Sequence, residues 1–293
     1  MLVEQKDEVA DPVSLPSASA SASARAASEP PQWLIVGLAA AYVVALAVLA
    51  FLPGATLIER LRALDGGICA QASGHSFFVG GEQLPLCSRN TGIYLGFTCA
   101  FLVLLATGRL RSAGFPGRWV MLVLGIAVLF MAEDGFNSLF LDLGLPHLYQ
   151  PHNVLRLFSG LGTGTAMCAF IVPVANTLIW RDEDHRSSFR SLNDLGLMIP
   201  VLLLAFLAVG TFSDRADFLL YPIALLSSAG LVMALTLVNV VFFLSFSTRA
   251  GHFATWRQFF PFFTIAVVFA VIELMALFAL KTSMLHSIAR VSV

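Results

Sequence analysis

Residues 218–246 read FLLYPIALLSSAGLVMALTLVNVVFFLSF, a run without Asp, Glu, Lys or Arg. A helix needs about 20 apolar residues to cross a hydrocarbon core, and this run exceeds that length. Its reading decides the fold class: the chain belongs in a membrane. Working outward, six further runs of this kind predict seven spans in all, near 33–52, 91–108, 119–145, 154–180, 195–212, 218–246 and 258–280. Glu133 and Asp134 interrupt the third, which allows it to end near Phe140. Trp33, Trp119, Trp180 and Trp256 fall at or beside span ends, where amphipathic rings prefer the headgroup layer.

Composition agrees. The chain is 58% hydrophobic and 12% charged, with a mean hydropathy of +0.83. Soluble domains carry about 25% charged residues. The formal charge of −1, with no basic cluster, offers nothing to a nucleic acid. The expected fold is therefore all-α: a polytopic integral membrane protein of about seven helices, with a Cys-containing loop after the first.

Residues 1–32 are rich in Ser, Ala and Pro and predict a disordered tail. The first span lacks a basic flank and is too apolar and long for a signal peptide, so a retained helix is expected. Lys and Arg set the orientation. With the tail inside, Lys6, Arg25, Arg109, Arg111, Arg118, Arg181, Arg186, Arg190, Arg249 and Arg257 lie on the cytoplasmic side. Arg60, Arg62, Arg89, Arg215, Lys281 and Arg290 lie outside, and the excess favours a cytoplasmic N-terminus and an extracytoplasmic C-terminus. Residues 33–68 then hold the first span and a short interfacial helix with Leu57, Leu61 and Leu64 on one face. Residues 69–164 form a core, its last span running to about 180, and residues 181–293 add three helices.

The loop from Cys69 to Cys87 faces the oxidising side in that topology. A Cys69–Cys87 disulfide is expected, constraining the loop by about 3 kcal/mol. The alternative is a thiolate pair with His75 as a third metal ligand, but the spacing matches no familiar zinc pattern. No metal or other cofactor is assigned. Cys99 and Cys168 lie in apolar spans and read as core residues.

Two spans carry ionisable groups that are costly in lipid. Glu133, Asp134 and Asn137 share an arc of the third helix, and Asp142 follows near its outer end. The fourth opens with Asn153 and Arg156, and Gly160 and Gly164 continue the Arg156 face by i, i+4 spacing. Gly92, Gly96 and Ala100 leave a similar bare face on the second. The short 146–153 connection makes the third span the expected neighbour of the Gly160/Gly164 face. A carboxylate there, Asp134 or Asp142, is then the expected partner of Arg156.

Cys69-x-Gln71, His75-Ser76-Phe77, Leu84-Pro85-Leu86-Cys87-Ser88-Arg89, Thr91-Gly92-Ile93-Tyr94, Asp134-Gly135, and Asn153-x-Leu155-Arg156 with Gly160 and Gly164 together resemble a prokaryotic family of predicted membrane proteins. That family is known as domain of unknown function 2085. The resemblance covers about 69–164. It implies a loop motif of Cys69, Gln71, His75, Cys87, Arg89 and Tyr94. Ala70, Asn90 and His75 stand where typical members carry His, Cys and Arg, so the fuller Cys/His set is not reproduced.

The functional expectation is a protein of a bacterial cytoplasmic membrane. It would bind or move a small solute, ion or lipid at Glu133, Asp134, Asn137, Asp142, Asn153 and Arg156. The alternatives are a membrane-embedded enzyme acting on a lipid or quinone-like substrate, and a structural subunit of a membrane complex. Membrane lipids are the expected surroundings. The sequence assigns no nucleic-acid partner and no oligomeric state.

Overall fold

A computed structural model describes residues 52–211 and 216–291; the tail, nearly all of the predicted 33–52 span and residues 212–215 lie outside the described residues. The protein is an all-α polytopic membrane protein. The helices are α1 (Leu57–Asp65), α2 (Ser88–Ala106), α3 (Arg118–Asp142), α4 (Asn153–Ile179), α5 (Leu192–Gly196), α6 (Met198–Gly210), α7 (Leu220–Ser245) and α8 (Trp256–Val291). Among the described residues six segments are long and apolar enough to cross a membrane: α2, α3, α4, α5 with α6, α7 and α8. Each overlaps a predicted span. The third does not end early, because α3 runs unbroken through Glu133, Asp134 and Gly135 to Asp142.

α4 is the central helix. In its most apolar window 67% of residues are buried, against 17% in α3 and 11% in α5–α6, whose exposed Leu, Ile, Val and Phe suit lipid. Its closest crossing is with α2. A Cβ at Gly92 or Gly96 would strike the carbonyl oxygen of Leu157 or Leu161. A Cβ at Gly160 or Gly164 would strike that of Arg89 or Ile93. Backbone therefore packs on backbone, as small residues permit.

This corrects the expected neighbour: the Gly160/Gly164 face meets α2, not α3. Helix α3 takes the other side of α4, where a Cβ at Gly162 would lie 2.9 Å from the Cβ of Ala127. Positions 160 and 162 differ by about 200° around a helix, so both neighbours fit.

The loop before α2 is folded down onto the bundle. A Thr56/Glu59 capping box starts α1, which buries Ile58, Leu61, Leu64 and Asp65 as it packs on α7 and α8. Strands β1 (Phe78–Val79) and β2 (Glu82–Gln83) pair through Gly80 and Gly81, whose φ of 59° and 80° suit a tight hairpin. Val79, Leu84 and Leu86 are buried beneath it. At the far end of the bundle, β3 (Ser112–Gly114) pairs in parallel with β4 (Asp184–Ser187). Asn176 donates there to the carbonyls of Leu110 and Ser112 and accepts from the Trp180 indole. Glu273, read as isolated, accepts a 2.8 Å hydrogen bond from Asn239 of α7.

Candidate functional site

Arg89 stands in the first turn of α2, close to α4 because Gly92 and Gly160 allow the crossing. Its guanidinium reaches across to α3. Nη2 lies 2.5 Å from Asp134 Oδ2 and also donates to the Asp134 carbonyl and to Ser138 Oγ. Gly135 leaves room beside it: a Cβ there would meet the guanidinium at 3.9 Å. Asp134 is fully buried, and its other oxygen accepts from the Tyr149 hydroxyl at 2.9 Å.

Asn137 sets that second contact. Its amide oxygen accepts from the backbone of Leu148 and Tyr149, and its nitrogen donates to the Tyr149 carbonyl. The α3–α4 loop is thereby pinned with its phenol over Asp134. Burial and the Asp134 carboxylate push the Tyr149 phenol up to about 12, so it stays a donor.

Arg156 is 4% exposed. Its hydrogen bonds go to neutral oxygens, Asn153 Oδ1 at 2.9 Å and Ser138 Oγ at 3.4 Å. The expected Arg156–carboxylate pair is thus corrected: Arg89 takes Asp134, because the glycine crossing carries α2 rather than α3 against the Arg156 face. Asp142 is exposed and lies 3.5 Å from His75. Glu133 is exposed on α3.

Two guanidiniums thus flank the Asp134 carboxylate, with the exposed Asp142 also within electrostatic reach of Arg156. The Nε of Arg89 and the Nε of Arg156 are buried without a hydrogen-bond partner among the described residues. A buried donor left unpaired costs about 1–3 kcal/mol, more when charged. The arrangement is suited to accept an anion. Asp134, with both oxygens engaged by donors, orients Arg89.

The Cys loop buttresses this cluster. Asn153 Nδ2 donates to the carbonyls of Gly74 and Ser76. Gln71 adopts a left-handed φ of 57°, held by its side-chain bonds to the Arg62 and Pro85 carbonyls and by Gln83, which donates to its own carbonyl. Gln71 is therefore a structural clasp.

Cys69 and Cys87 come together at the N-terminus of α2, but as free thiols; the expected disulfide is not formed. The Cys87 backbone N–H donates to Cys69 Sγ at 3.2 Å. The Cys87 thiol and backbone both donate to Cys69, lowering it to about 6, while Cys87 is raised by giving its proton to that sulfur. His75 is turned to Asp142, and among the described residues no three His, Cys, Asp or Glu are grouped to hold a metal. Tyr94 packs beside Cys69 and Leu86. Asp65 is fully buried nearby, accepting from Ser228 at 2.6 Å, with Oδ1 unpartnered among the described residues.

Three site residues escaped the sequence reading: Ser138, Tyr149 and Asp65. Ser138 follows Asp134 by one turn, which was the available signal; the other two depend on how a loop and α1 fold back.

The model of the DUF2085 family, described as predicted membrane protein, matches residues 69–170. An uncharacterized protein of the archaeon Methanocaldococcus jannaschii is 29% identical over 121 residues, covering 41% of this chain and 72% of that protein. This similarity to an archaeal protein does not support an assignment to bacteria. No solved structure matches the chain.

Proposed function

We propose that this membrane protein binds, or moves, a small solute, ion or lipid at the polar cluster between α3 and α4, and that the bound group is an anion. The observation that carries the reading is Arg156: buried, charged at any accessible pH, and hydrogen-bonded among the described residues to neutral oxygens alone. Asp134, Tyr149 and Asn137 position Arg89 beside it; Ser138 and Asn153 position Arg156 itself. Within this reading residues 69–164 form the binding core, and the helices of 181–293 enclose it.

An enzyme using Asp134 as a base is less well supported, since both carboxylate oxygens are engaged by donors. A subunit in which these charges only lock helices would need no ligand at all. Mass spectrometry of molecules co-purified with wild type and with Arg156→Gln separates the cases. An anionic species present in the first and depleted in the second is expected; identical spectra would contradict the proposal.

We place the loop 53–90, and with it this cluster, on the extracytoplasmic side, following the Lys and Arg distribution. Glu82 and Asp182 are exposed at the two ends. With the native thiols removed, a Cys at position 82 should label in intact cells with an impermeant reagent, and one at 182 should not. The reverse pattern would invert the topology.

A further inference from the structure

A cavity of about 460 Å³ opens between α3, α4 and α6, lined by Ala127 and Phe130 of α3, Phe158 and Gly162 of α4, and Ile199 and Leu202 of α6. Its size falls within the range of small-molecule sites, about 300–1,000 Å³. The lining is almost wholly apolar, and its rim is exposed to the lipid side: Phe158 is 59% and Ile199 65% exposed. Water has little to bond with there, whereas a hydrocarbon chain would fit.

The cavity lies about one helical turn along α3 from the arginine cluster. Val123, Ala127, Phe130 and Asp134 follow one another at intervals of four, three and four residues, which keeps them on one stripe of α3. From Phe130 to Asp134 the rise is about 6 Å. On α4, Ser159 lines the cavity and donates at 3.1 Å to the carbonyl of Arg156. Both walls thus run toward the cluster of Arg89, Arg156 and Asp134, where two buried Nε donors have no partner among the described residues.

We infer that the cavity and the cluster form one site for an anionic amphiphile. Its phosphate or carboxylate sits at Arg89 and Arg156, and its hydrocarbon chain lies in the cavity between α3, α4 and α6. This rests on the anion reading above and adds the chain. The head group is recognised by charge and by the Nε donors; the chain is recognised by shape and apolarity alone, so length matters more than detailed structure. A phospholipid and a free fatty acid share this chemistry.

The test uses the purified full chain in a non-ionic detergent. Unfolding midpoints are titrated with phosphatidylglycerol, a long-chain fatty acid, phosphatidylcholine and inorganic phosphate. The long-chain anions should stabilise wild type, and the stronger of the two identifies the source; phosphatidylcholine should not. Ile199→Trp and Val123→Trp fill the cavity from exposed positions. They should weaken the long-chain anions about tenfold while leaving the phosphate response, which also reports correct folding. Arg156→Gln should abolish both. If the fillers leave long-chain binding unchanged, or phosphatidylcholine binds as tightly, the amphiphile is wrong and the anion reading survives. If the phosphate response is absent in wild type or persists in Arg156→Gln, the anion reading itself falls.

Discussion

Arg89 of α2 and Asp134 of α3 are joined at 2.5 Å across the bundle, with the carboxylate fully buried. The pair fixes the geometry around Arg156, which stands beside it and, among the described residues, hydrogen-bonds to no carboxylate.

Breaking such a pair from one side strands a charge, costing about 3–5 kcal/mol. Asp134→Leu should lower the unfolding midpoint in detergent by that measure. Arg89→Leu added to it should recover much of the loss, whereas Arg156→Leu added to it should not. Recovery with Arg156→Leu instead would reassign the pair.

The α2–α4 crossing depends on absent side chains. Gly164→Ala would drive a methyl into the Ile93 carbonyl, and overpacking of this kind costs about 1–3 kcal/mol. Gly125, with nothing within 4 Å of an added Cβ, serves as the control. Equal unfolding midpoints for Gly164→Ala and Gly125→Ala would show that the helices do not cross so closely.

How far all this could be read in advance differs by level. The spans were legible because lipid imposes a length and an apolarity that few soluble segments share. The glycine faces on α2 and α4 were legible too, but a bare face does not name its partner. The short α3–α4 connection pointed to α3, which does pack on α4, though around Gly162 rather than Gly160. From that one ambiguity the Arg156 pairing went astray. Tyr149 and Asp65 were out of reach for a different reason: Asp65 is buried by α7 and α8, far along the chain, and Tyr149 meets Asp134 only because Asn137 pins its loop.

Asp65 supplies a pH dependence. Burial raises its carboxyl from the ordinary 3.8 to about 7, against the opposing bond from Ser228 and with the Cys69 charge adding to the rise. The folded state therefore holds the proton more tightly than the unfolded one. This contribution is fully present below about pH 4 and is lost as pH rises through about 7. The Asp65→Asn protein should lose less stability than wild type between pH 4 and pH 7. Parallel curves for the two would place Asp65 in water.

The Cys69–Cys87 contact predicts a split titration. Cys69 should ionise near pH 6, well below the usual thiol range of about 8–9, because Cys87 donates both its S–H and its backbone N–H to it. In a Cys99→Ser/Cys168→Ser background, thiolate absorbance should rise near pH 6, and Cys87→Ala should move that step upward. A single step at the ordinary thiol value would mean that the sulfurs do not share a proton.

On the reading proposed above, Arg156 holds an anion from outside the chain. A high-resolution map of the protein in lipid nanodiscs tests it most directly. Density for an acidic group is expected at the Nε atoms of Arg89 and Arg156, continuing as a chain between α3, α4 and α6, with Arg89 still on Asp134. An Arg156 paired instead with Asp142, or solvated with no such density, would contradict it.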